Sequence, residues 1–351
     1  MLHFHTLPIK EVHRETKDAV RLDLEIPAAL KEKFAFKPGQ NLSLKWIFNG
    51  EELRRSYSIC SLPGEALISV AVKEIPEGRF SNYANRELQA GMSLEVMEPS
   101  GDFTVKESAG HHLFIAAGSG ITPVSSMIQS ILKSDQEKTV TLIYGNKGAE
   151  DVIFKKEIDV WAVQYASKFQ VKHVYSRSFS DDALRGRIDN TLIDSVLGEG
   201  KFEKPSEIYL CGPAAMIFSA KEHFSAKGWT KEHLHFELFH APETESKEEK
   251  HTEKKIQGDT DSILFILDGQ ELEVVVKNPD LSILDIALEA GLDAPFACQG
   301  GVCCTCKAKN SRAKVELRQN FSLSDGELNE GYVLTCQSYH QGGECTIDYD
   351  N

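Results

Sequence analysis

The sequence predicts three folded domains in succession: an antiparallel β-barrel, an α/β domain with a doubly wound parallel sheet, and a small α+β domain. Residues 1–108 alternate apolar and polar side chains, and residues 109–240 alternate short apolar runs with helical segments. Residues 262–351 follow a charged stretch at 241–261 that is poor in apolar residues. A chain of 351 residues is long enough for this division.

The first domain, residues 1–108, has the period-two pattern of half-buried strands. Apolar residues recur at alternate positions in the runs Val20–Ile26, Leu42–Leu44 and Ile68–Val72. The turn-forming pairs Pro38-Gly39 and Pro63-Gly64 separate these runs. We therefore expect an antiparallel sheet that closes into a barrel.

The second domain, residues 109–240, has the pattern of a parallel sheet covered by helices. Strands are predicted at four apolar runs, with helices after the first, second and fourth: Leu113–Ala117, Thr139–Tyr144, Phe169–Tyr175 and Glu207–Cys211. Such alternation is typical of doubly wound folds, which bind ligands at the carboxyl ends of their strands.

The segment 241–261 is predicted to be a flexible linker. It is rich in Glu, Lys and Thr, and Ile256 is its single aliphatic residue beyond alanine. Such a segment cannot bury enough apolar surface to fold.

The third domain, residues 262–351, is predicted to form a small mixed sheet crossed by one helix. The runs Ile263–Leu267 and Glu271–Val276 flank the hairpin turn Asp268-Gly269. An amphipathic helix around Leu284–Leu288 comes next, and short strands follow, including Cys345–Tyr349.

Four cysteines of the third domain have the spacing of a plant-type [2Fe–2S] site. Cys298, Cys303 and Cys306 form a C-x4-C-x2-C pattern, and Cys336 follows thirty positions later. Glycines within the loop allow it to fold tightly around inorganic sulfide. A zinc ribbon and a disulfide pair are the alternatives. The zinc ribbon fits less well, because Cys336 and Cys345 are separated by eight residues and make a poor second knuckle, and the full spacing favours the cluster over both alternatives.

Charge and hydropathy restrict the classes of partner. The net charge is −14, and residues 262–351 hold six basic and 14 acidic residues. This excess of acidic residues has two possible explanations: it keeps the protein soluble, or it forms a docking face for a basic redox partner. It argues against nucleic acid as a partner. Residues 1–17 lack the apolar core of a signal peptide, and no apolar stretch approaches the roughly 20 residues of a membrane helix. We therefore expect a cytoplasmic protein with reduced thiols and no membrane partner.

Two segments of the first domain contain residue types that hold a flavin. In Arg55-Ser56-Tyr57-Ser58, a guanidinium can pair with pyrophosphate, a ring can stack on the isoalloxazine, and a hydroxyl can reach its polar edge. Alternatively, these are ordinary half-exposed residues of a barrel strand. In Gly78-Arg79-Phe80-Ser81-Asn82, amides and a hydroxyl can meet a phosphate.

The second domain contains a glycine turn between a predicted strand and a helix, Gly118-Ser119-Gly120-Ile121-Thr122-Pro123. Glycines let the backbone approach a pyrophosphate, and a helix N-terminus offers free N–H groups. The same glycines would also suit a βα turn without a ligand. Cys211-Gly212-Pro213 follows a later strand, at the edge where doubly wound sheets bind ligands.

Four motifs occur in the order and spacing of the ferredoxin–NADP reductase family: Phe36-Lys37-Pro38-Gly39-Gln40, Arg55-x-Tyr57-Ser58, Gly118-x-Gly120-Ile121-Thr122-Pro123 and Cys211-Gly212-Pro213. With its C-terminal cysteine pattern, the chain resembles the reductase components of multicomponent bacterial oxygenases. This resemblance implies an FAD-binding barrel, an NAD(P)-binding α/β domain and a β-grasp ferredoxin domain. It therefore implies an NAD(P)H-dependent flavin and iron–sulfur oxidoreductase.

The resemblance also implies roles for single residues. The flavin would be held by Arg55, Tyr57 and Ser58. Its pyrophosphate would be bound by Gly78 and Ser81. The nicotinamide nucleotide would be held by Gly118, Gly120 and Thr122. Ser58 would lie near the reactive flavin nitrogen, Cys211 beside the nicotinamide, and Glu237 would match the family's late carboxylate.

The nucleotide is predicted to be NADPH, with NADH as the alternative. Its 2′-phosphate calls for Arg or hydroxyl donors near the end of the third strand. Ser176 and Arg177 follow that strand, and Arg187 comes ten residues later. The alternatives are that Arg177 is a solvated loop charge, or that Asp181 and Asp182 hold free ribose hydroxyls.

Electrons are expected to pass from NADPH through FAD and the [2Fe–2S] cluster to a diiron oxygenase. Nicotinamide releases two electrons together, the cluster accepts one at a time, and flavin converts between the two. Two alternatives remain open at this point: service to another client such as a steroid hydroxylase, and a non-enzymatic [2Fe–2S] redox sensor.

Overall fold

The structure is a computed structural model that describes residues 3–106, 110–134, 137–178, 183–198, 205–242, 261–311 and 315–351. It forms two compact units, one spanning Phe4–Leu238 and the other consisting mainly of residues 239–351. Most of the predicted linker lies outside the described residues. None of the described helices is both long and apolar enough to cross a membrane.

The first part of unit Phe4–Leu238 is an antiparallel barrel of six strands and one helix: β1 (Phe4–Thr16), β2 (Ala19–Glu25), β3 (Asn41–Phe48), β4 (Glu51–Ser58), β5 (Leu67–Lys73), α1 (Arg79–Arg86) and β6 (Ser93–Met97). The strand order is β4-β3-β6-β1-β2-β5. An antiparallel bridge between Ile59 and Val70 joins the two outer strands, which closes the barrel. Alternate residues such as Leu22, Leu24 and Leu42 are fully buried, as period two requires.

Helix α1 was not predicted from the sequence. The segment interpreted there as a phosphate-binding loop is the start of this helix, which begins at Arg79 directly after Gly78. Phe80, Ala84 and Leu88 recur every four residues and pack on the barrel core. That spacing was a readable helix signal, but the polar residues between them concealed it.

The second part of this unit is a parallel sheet with helices: β7 (Gly110–Ala117), α2 (Ile121–Lys133), β8 (Lys138–Asn146), α3 (Lys155–Gln164), β9 (Phe169–Tyr175), β10 (Leu184–Arg185), α4 (Asn190–Gly198), β11 (Glu207–Cys211), α5 (Ala214–Ala226) and β12 (Leu234–Glu237). The order is β10-β9-β8-β7-β11-β12, and all pairs are parallel. The chain reverses its direction of winding between β7 and β11, which makes this the switch point where doubly wound sheets bind ligands.

Three elements of this domain were missed by the sequence prediction, which had four strands and placed helices after the first, second and fourth of them only. Strand β10 has two residues and gives no periodic signal. Helix α4 follows β10 and buries Ile193 and Val196, too few apolar residues to stand out. Strand β12 is four residues long and includes His235 and Glu237. Its position matters for function, because it places Glu237 beside the end of β11.

The second unit contains a mixed sheet, a two-stranded ribbon and two helices: β13 (Ser262–Leu267), β14 (Gln270–Val275), α6 (Ile283–Glu289), β15 (Lys307–Ser311), β16 (Val315–Leu317), α7 (Asp325–Asn329), β17 (Tyr332–Leu334), β18 (Ser338–His340) and β19 (Glu344–Asp348). The sheet order is β14-β13-β19-β15-β17, and β16 pairs with β18. Residues of α6 such as Ile283 and Ala287 are fully buried against this sheet. The three architectures confirm the predicted fold classes.

Candidate functional site

The glycine turn lies directly against the end of strand β11. A β-carbon on Gly120 would be 2.1 Å from the carbonyl oxygen of Cys211, so no other residue fits without a shift of backbone. Gly118 has φ of +54°, which also favours glycine. The turn leads into α2, a helix of 13 residues, and the amide of its first residue, Ile121, donates to the carbonyls of Gly118 and Ser119. The start of α2 therefore follows directly from the glycine turn at the switch point of the sheet.

Three residues predicted to surround the reacting rings converge from three different strands. Ser58 ends β4 of the barrel, and its Oγ donates a 3.2 Å hydrogen bond to Oε2 of Glu237 at the end of β12. Cys211, fully buried at the end of β11, pairs with Glu237 in the strand register. Residues that are far apart in the sequence thus form one polar group between the barrel and the parallel sheet.

Burial sets the protonation of this group. It raises the pKa of Glu237 to about 8, and the hydrogen bond from Ser58 offsets only part of that increase. Burial, and secondarily the neighbouring Glu237 carboxylate, raises the pKa of the Cys211 thiol. At neutral pH the thiol is therefore neutral, and most of the Glu237 carboxyl is protonated.

The other two residues of the Arg55-x-Tyr57-Ser58 motif lie on the same strand, β4. Tyr57 is half-buried, with its ring centroid 5.6 Å from that of Phe80. Arg55 is exposed, and one guanidinium nitrogen donates to the carbonyl of Arg54 at 2.7 Å. A planar ring and an accessible guanidinium fit the isoalloxazine and pyrophosphate of a flavin.

Gly78 and Ser81 form a tight entry to helix α1. A β-carbon on Gly78 would lie 2.2 Å from Ser81 Oγ and 2.5 Å from Cγ1 of Ile75. The Ser81 hydroxyl accepts a hydrogen bond from the Ile75 amide at 3.3 Å. Ser81 therefore braces the turn at which α1 begins.

Thr122 has a comparable bracing contact in the nucleotide domain. Its hydroxyl is buried and donates to the carbonyl of Ser119 at 3.0 Å. The hydroxyl of Tyr144 donates to the carbonyl of Gly118, also at 3.0 Å. These two hydrogen bonds fix the backbone carbonyls of Ser119 and Gly118 in the glycine turn.

Lys73 is a candidate binding residue that the sequence prediction missed. It ends barrel strand β5, and its Nζ lies 3.9 Å from the position that a β-carbon on Gly118 would occupy. Asp18 Oδ2 is 3.8 Å from the same ammonium group. The signal in the sequence was a cation at the end of an otherwise apolar strand, but only the fold places it over the glycine turn.

The residues predicted to choose the nucleotide lie together at one edge of the parallel sheet. Ser176 and Arg177 follow β9, where their backbone amides donate to the carbonyls of Asn146 and Lys147 at 3.0 and 2.9 Å. Arg187 lies two residues beyond β10, which pairs with the end of β9. Arg177 and Arg187 are exposed, and Asp181 and Asp182 lie outside the described residues.

The four predicted cluster ligands come together in the second unit. The thiols of Cys298 and Cys303 interact directly, as do those of Cys306 and Cys336, and Cys298 is close enough to Cys306 for their charges to interact. The amide of Gly300 donates to Cys298 Sγ at 3.3 Å. The contact between the two thiols lowers the pKa of Cys298 and raises the pKa of Cys303, as expected for thiols that share one hydrogen bond.

The two other cysteines of this unit are placed differently. Cys345 Sγ donates to Asn310 Oδ1 at 3.3 Å. Cys304 has φ of +56°, an unusual value for a residue with a side chain, and its carbonyl accepts from the Lys307 amide at 3.0 Å. Its backbone therefore closes the loop in which the ligands lie.

Three family models match the chain in the predicted order. Residues 6–105 match an oxidoreductase FAD-binding domain, residues 114–222 an oxidoreductase NAD-binding domain, and residues 265–341 a 2Fe-2S iron-sulfur cluster binding domain. These matches confirm that the chain is an oxidoreductase that uses FAD, NAD(P)H and a [2Fe–2S] cluster.

Two curated relatives match along nearly their full lengths. The chain is 42% identical to one of the subunits of the 1,2-phenylacetyl-CoA epoxidase of Escherichia coli K12, covering 100% of this chain and 99% of that protein. It is 29% identical to the ferredoxin reductase component of the 3-ketosteroid-9-alpha-monooxygenase of Mycolicibacterium smegmatis, covering 99% and 98%.

Among solved structures, phthalate dioxygenase reductase has the same fold. The two chains superimpose with a TM-score of 0.60 at 23% identity, covering 98% of each. The charged segment before the cysteine domain and the double cysteine Cys303-Cys304 had indicated a likeness to the reductase component of phenylacetyl-CoA epoxidases, and the 42% identity confirms it.

Proposed function

We propose that this protein uses NADPH to reduce a diiron oxygenase that epoxidises phenylacetyl-CoA. The chain belongs to a family of oxidoreductases that bind FAD, NAD(P) and a [2Fe–2S] cluster. That family includes its 42% identical relative from the 1,2-phenylacetyl-CoA epoxidase. The extent of that identity, which covers the whole chain, supports this client. The observation that carries the electron-transfer role is the meeting of Ser58, Cys211 and Glu237 where the barrel adjoins the nucleotide domain.

In this proposal the barrel residues hold the flavin. Arg55 would pair with its pyrophosphate together with the first amides of α1, which Gly78 and Ser81 position, and Tyr57 would stack on its rings. Bound FAD would supply the conversion between the hydride of NADPH and the single electrons that the cluster accepts.

Ser58 and Glu237 would control a proton near the flavin. Glu237 can hold a proton at neutral pH, since its pKa is about 8. With that proton on Oε2 the 3.2 Å hydrogen bond would reverse, so that Oε2 donates to Ser58 Oγ and the Ser58 hydroxyl can pass its own hydrogen onward. The neutral, buried Cys211 thiol would pack beside the nicotinamide and exclude water from this region.

The nucleotide would bind along the carboxyl edge of the parallel sheet. Its pyrophosphate would meet the turn that Gly118, Gly120 and Thr122 shape, with the Lys73 ammonium above it. Ser176, Arg177 and Arg187 would face the 2′-phosphate of NADPH. Cys298, Cys303, Cys306 and Cys336 would bind the cluster.

Reconstitution tests the proposed client. The purified reductase, NADPH and the oxygenase components of the phenylacetyl-CoA system should together convert phenylacetyl-CoA to its epoxide. The steroid monooxygenase, the client type named for the relative with 29% identity, serves as the comparison oxygenase. If the reductase supports faster hydroxylation of steroid by the steroid monooxygenase than epoxidation of phenylacetyl-CoA, the proposed client is contradicted.

A separate assay tests the electron-transfer role. The purified protein should reduce cytochrome c or ferricyanide rapidly with NADPH. An intact flavin and cluster with no dye reduction would instead support the alternative of a redox sensor.

A further inference from the structure

The segment that carries Cys336 is tied on both sides to the loop that carries the other three cysteines. Before Cys336, the amide and the Oγ1 of Thr335 both donate to the carbonyl of Cys306, at 3.2 and 3.1 Å. After it, Nε2 of Gln337 donates to the carbonyl of Gln299 at 2.8 Å. Thr335 thus contacts the backbone of the proposed ligand Cys306. Gln337 contacts the residue that follows the proposed ligand Cys298.

Tyr349 extends the buried side of this arrangement. Its hydroxyl donates to Thr335 Oγ1 at 3.1 Å, so a chain of two hydroxyls runs from Tyr349 through Thr335 to the Cys306 carbonyl. Thr335 is fully buried and Tyr349 is 9% exposed. The amide of Tyr349 donates to the carbonyl of Ile266 at 3.0 Å, which fixes the backbone of this residue to the neighbouring strand β13.

The direction of the chain has an electrostatic consequence. Each hydroxyl points its hydrogen toward the next acceptor, so the positive ends of both dipoles are directed at the backbone of Cys306. In a buried environment such dipoles act strongly, because water does not screen them. Groups that orient metal ligands from outside the coordination sphere also tune the electronic properties of the metal centre.

We propose that Tyr349 is a positioning residue for the [2Fe–2S] centre: through Thr335 it raises the reduction potential of the cluster and holds Cys306 in place. This inference rests on the proposed ligand set. Tyr349 donates its hydrogen bond to the hydroxyl of Thr335 rather than to a ligand sulfur, and Thr335 transmits its effect.

The test compares Tyr349→Phe with Tyr332→Phe in the full-length protein. Tyr332 is a matched control, because it is half-buried against the same core and takes no part in the chain of hydroxyls. The midpoint potential of the cluster is measured by anaerobic titration followed by electron paramagnetic resonance. We expect a more negative potential in Tyr349→Phe, and a wild-type value in Tyr332→Phe.

Two Thr335 variants establish the route. Thr335→Ser keeps the hydroxyl and should keep the wild-type potential, whereas Thr335→Val should lower it. Adding Tyr349→Phe to Thr335→Val should produce no further shift, because the link is already broken. If Thr335→Val fails to fold, Tyr349→Phe in the wild-type and Thr335→Ser backgrounds still decides the question.

An unchanged potential in Tyr349→Phe with full cluster content would overturn the inference. An equal shift in Tyr332→Phe would do the same, as would a full Tyr349 effect in the Thr335→Val background. A wild-type protein without a [2Fe–2S] resonance after reduction would instead refute the ligand set, so the two failures are distinguishable.

Discussion

Ser58 Oγ donates a 3.2 Å hydrogen bond to Glu237 Oε2, although the two residues are 179 positions apart in the sequence. Ser58 ends a strand of the antiparallel barrel, and Glu237 ends the last strand of the parallel sheet. The contact therefore depends on how the barrel packs against the nucleotide domain. It also places a carboxyl with a raised pKa where the flavin and nicotinamide rings are proposed to meet.

Glu237 should make the stability of the unit Phe4–Leu238 depend on pH. Its carboxyl has a pKa of about 8 when folded, against 4.5 ordinarily, so the folded state binds the proton more tightly. The stabilisation is complete below pH 4.5 and is lost as the pH rises through 8. The temperature at which FAD is released should thus fall from about pH 5 to about pH 9 more steeply in wild type than in Glu237→Gln. Parallel curves for the two proteins would contradict the raised pKa.

The four proposed ligand cysteines should be separately required for the cluster. These ligands are Cys298, Cys303, Cys306 and Cys336. Replacing any one of them with Ser should remove the absorption bands of the cluster and leave those of the flavin. Cys304→Ser and Cys345→Ser are the controls, and both should keep the two sets of bands in the visible spectrum. Loss of the cluster in Cys304→Ser together with its retention in Cys303→Ser would show that the ligand assignment is wrong.

Arg177→Ala should weaken the use of NADPH and leave the use of NADH nearly unchanged. A lost hydrogen bond to a charged group costs about 1.5–3 kcal/mol, or about ten- to a hundredfold in kcat/KM for NADPH. Steady-state kinetics with both nucleotides measures this. Equal losses with the two nucleotides, or a wild-type preference for NADH, would argue against a 2′-phosphate site.

Lys73→Met should weaken NADPH and NADH alike, because the pyrophosphate is common to both. About tenfold in KM is expected for the loss of one charged contact. Lys10→Met is a suitable control, because Lys10 is an exposed lysine of barrel strand β1 whose partner, Glu25, is also exposed. A selective loss with NADPH would place Lys73 near the 2′-phosphate instead.

Gly120→Ala should disrupt the nucleotide site. The added methyl would lie 2.1 Å from the Cys211 carbonyl oxygen, and overpacking of this kind costs about 1–3 kcal/mol. The affinity for NADP⁺, measured by titration, should fall while FAD content is retained. Gly198→Ala is the matched control, because a methyl at the end of α4 meets no atom within 4 Å. Equal affinities in the two variants would contradict the close approach.

Local patterns in the sequence were enough to indicate the classes of fold and the candidate cysteine set, and the resemblance of four motifs to a known family implied the flavin and nucleotide cofactors. Period-two alternation in the barrel and the C-x4-C-x2-C spacing are properties of short segments, so they can be read without knowing what packs against them. The short elements α1, β10, α4 and β12 were not predicted, because segments of two to nine residues contain too few apolar positions to show a period.

Which distant residues meet depends instead on how the elements pack. The Lys73 ammonium near Gly118, the Ser58–Glu237 hydrogen bond and the chain from Tyr349 to Cys306 each join segments that are far apart in the sequence. No spacing encodes such contacts, because they follow from strand order and from the packing of one sheet on another. Burial adds a second effect that no motif contains: it raises the pKa of Glu237 to about 8. Because only the folded chain withdraws that carboxyl partly from water, the raised pKa is a property of the tertiary structure.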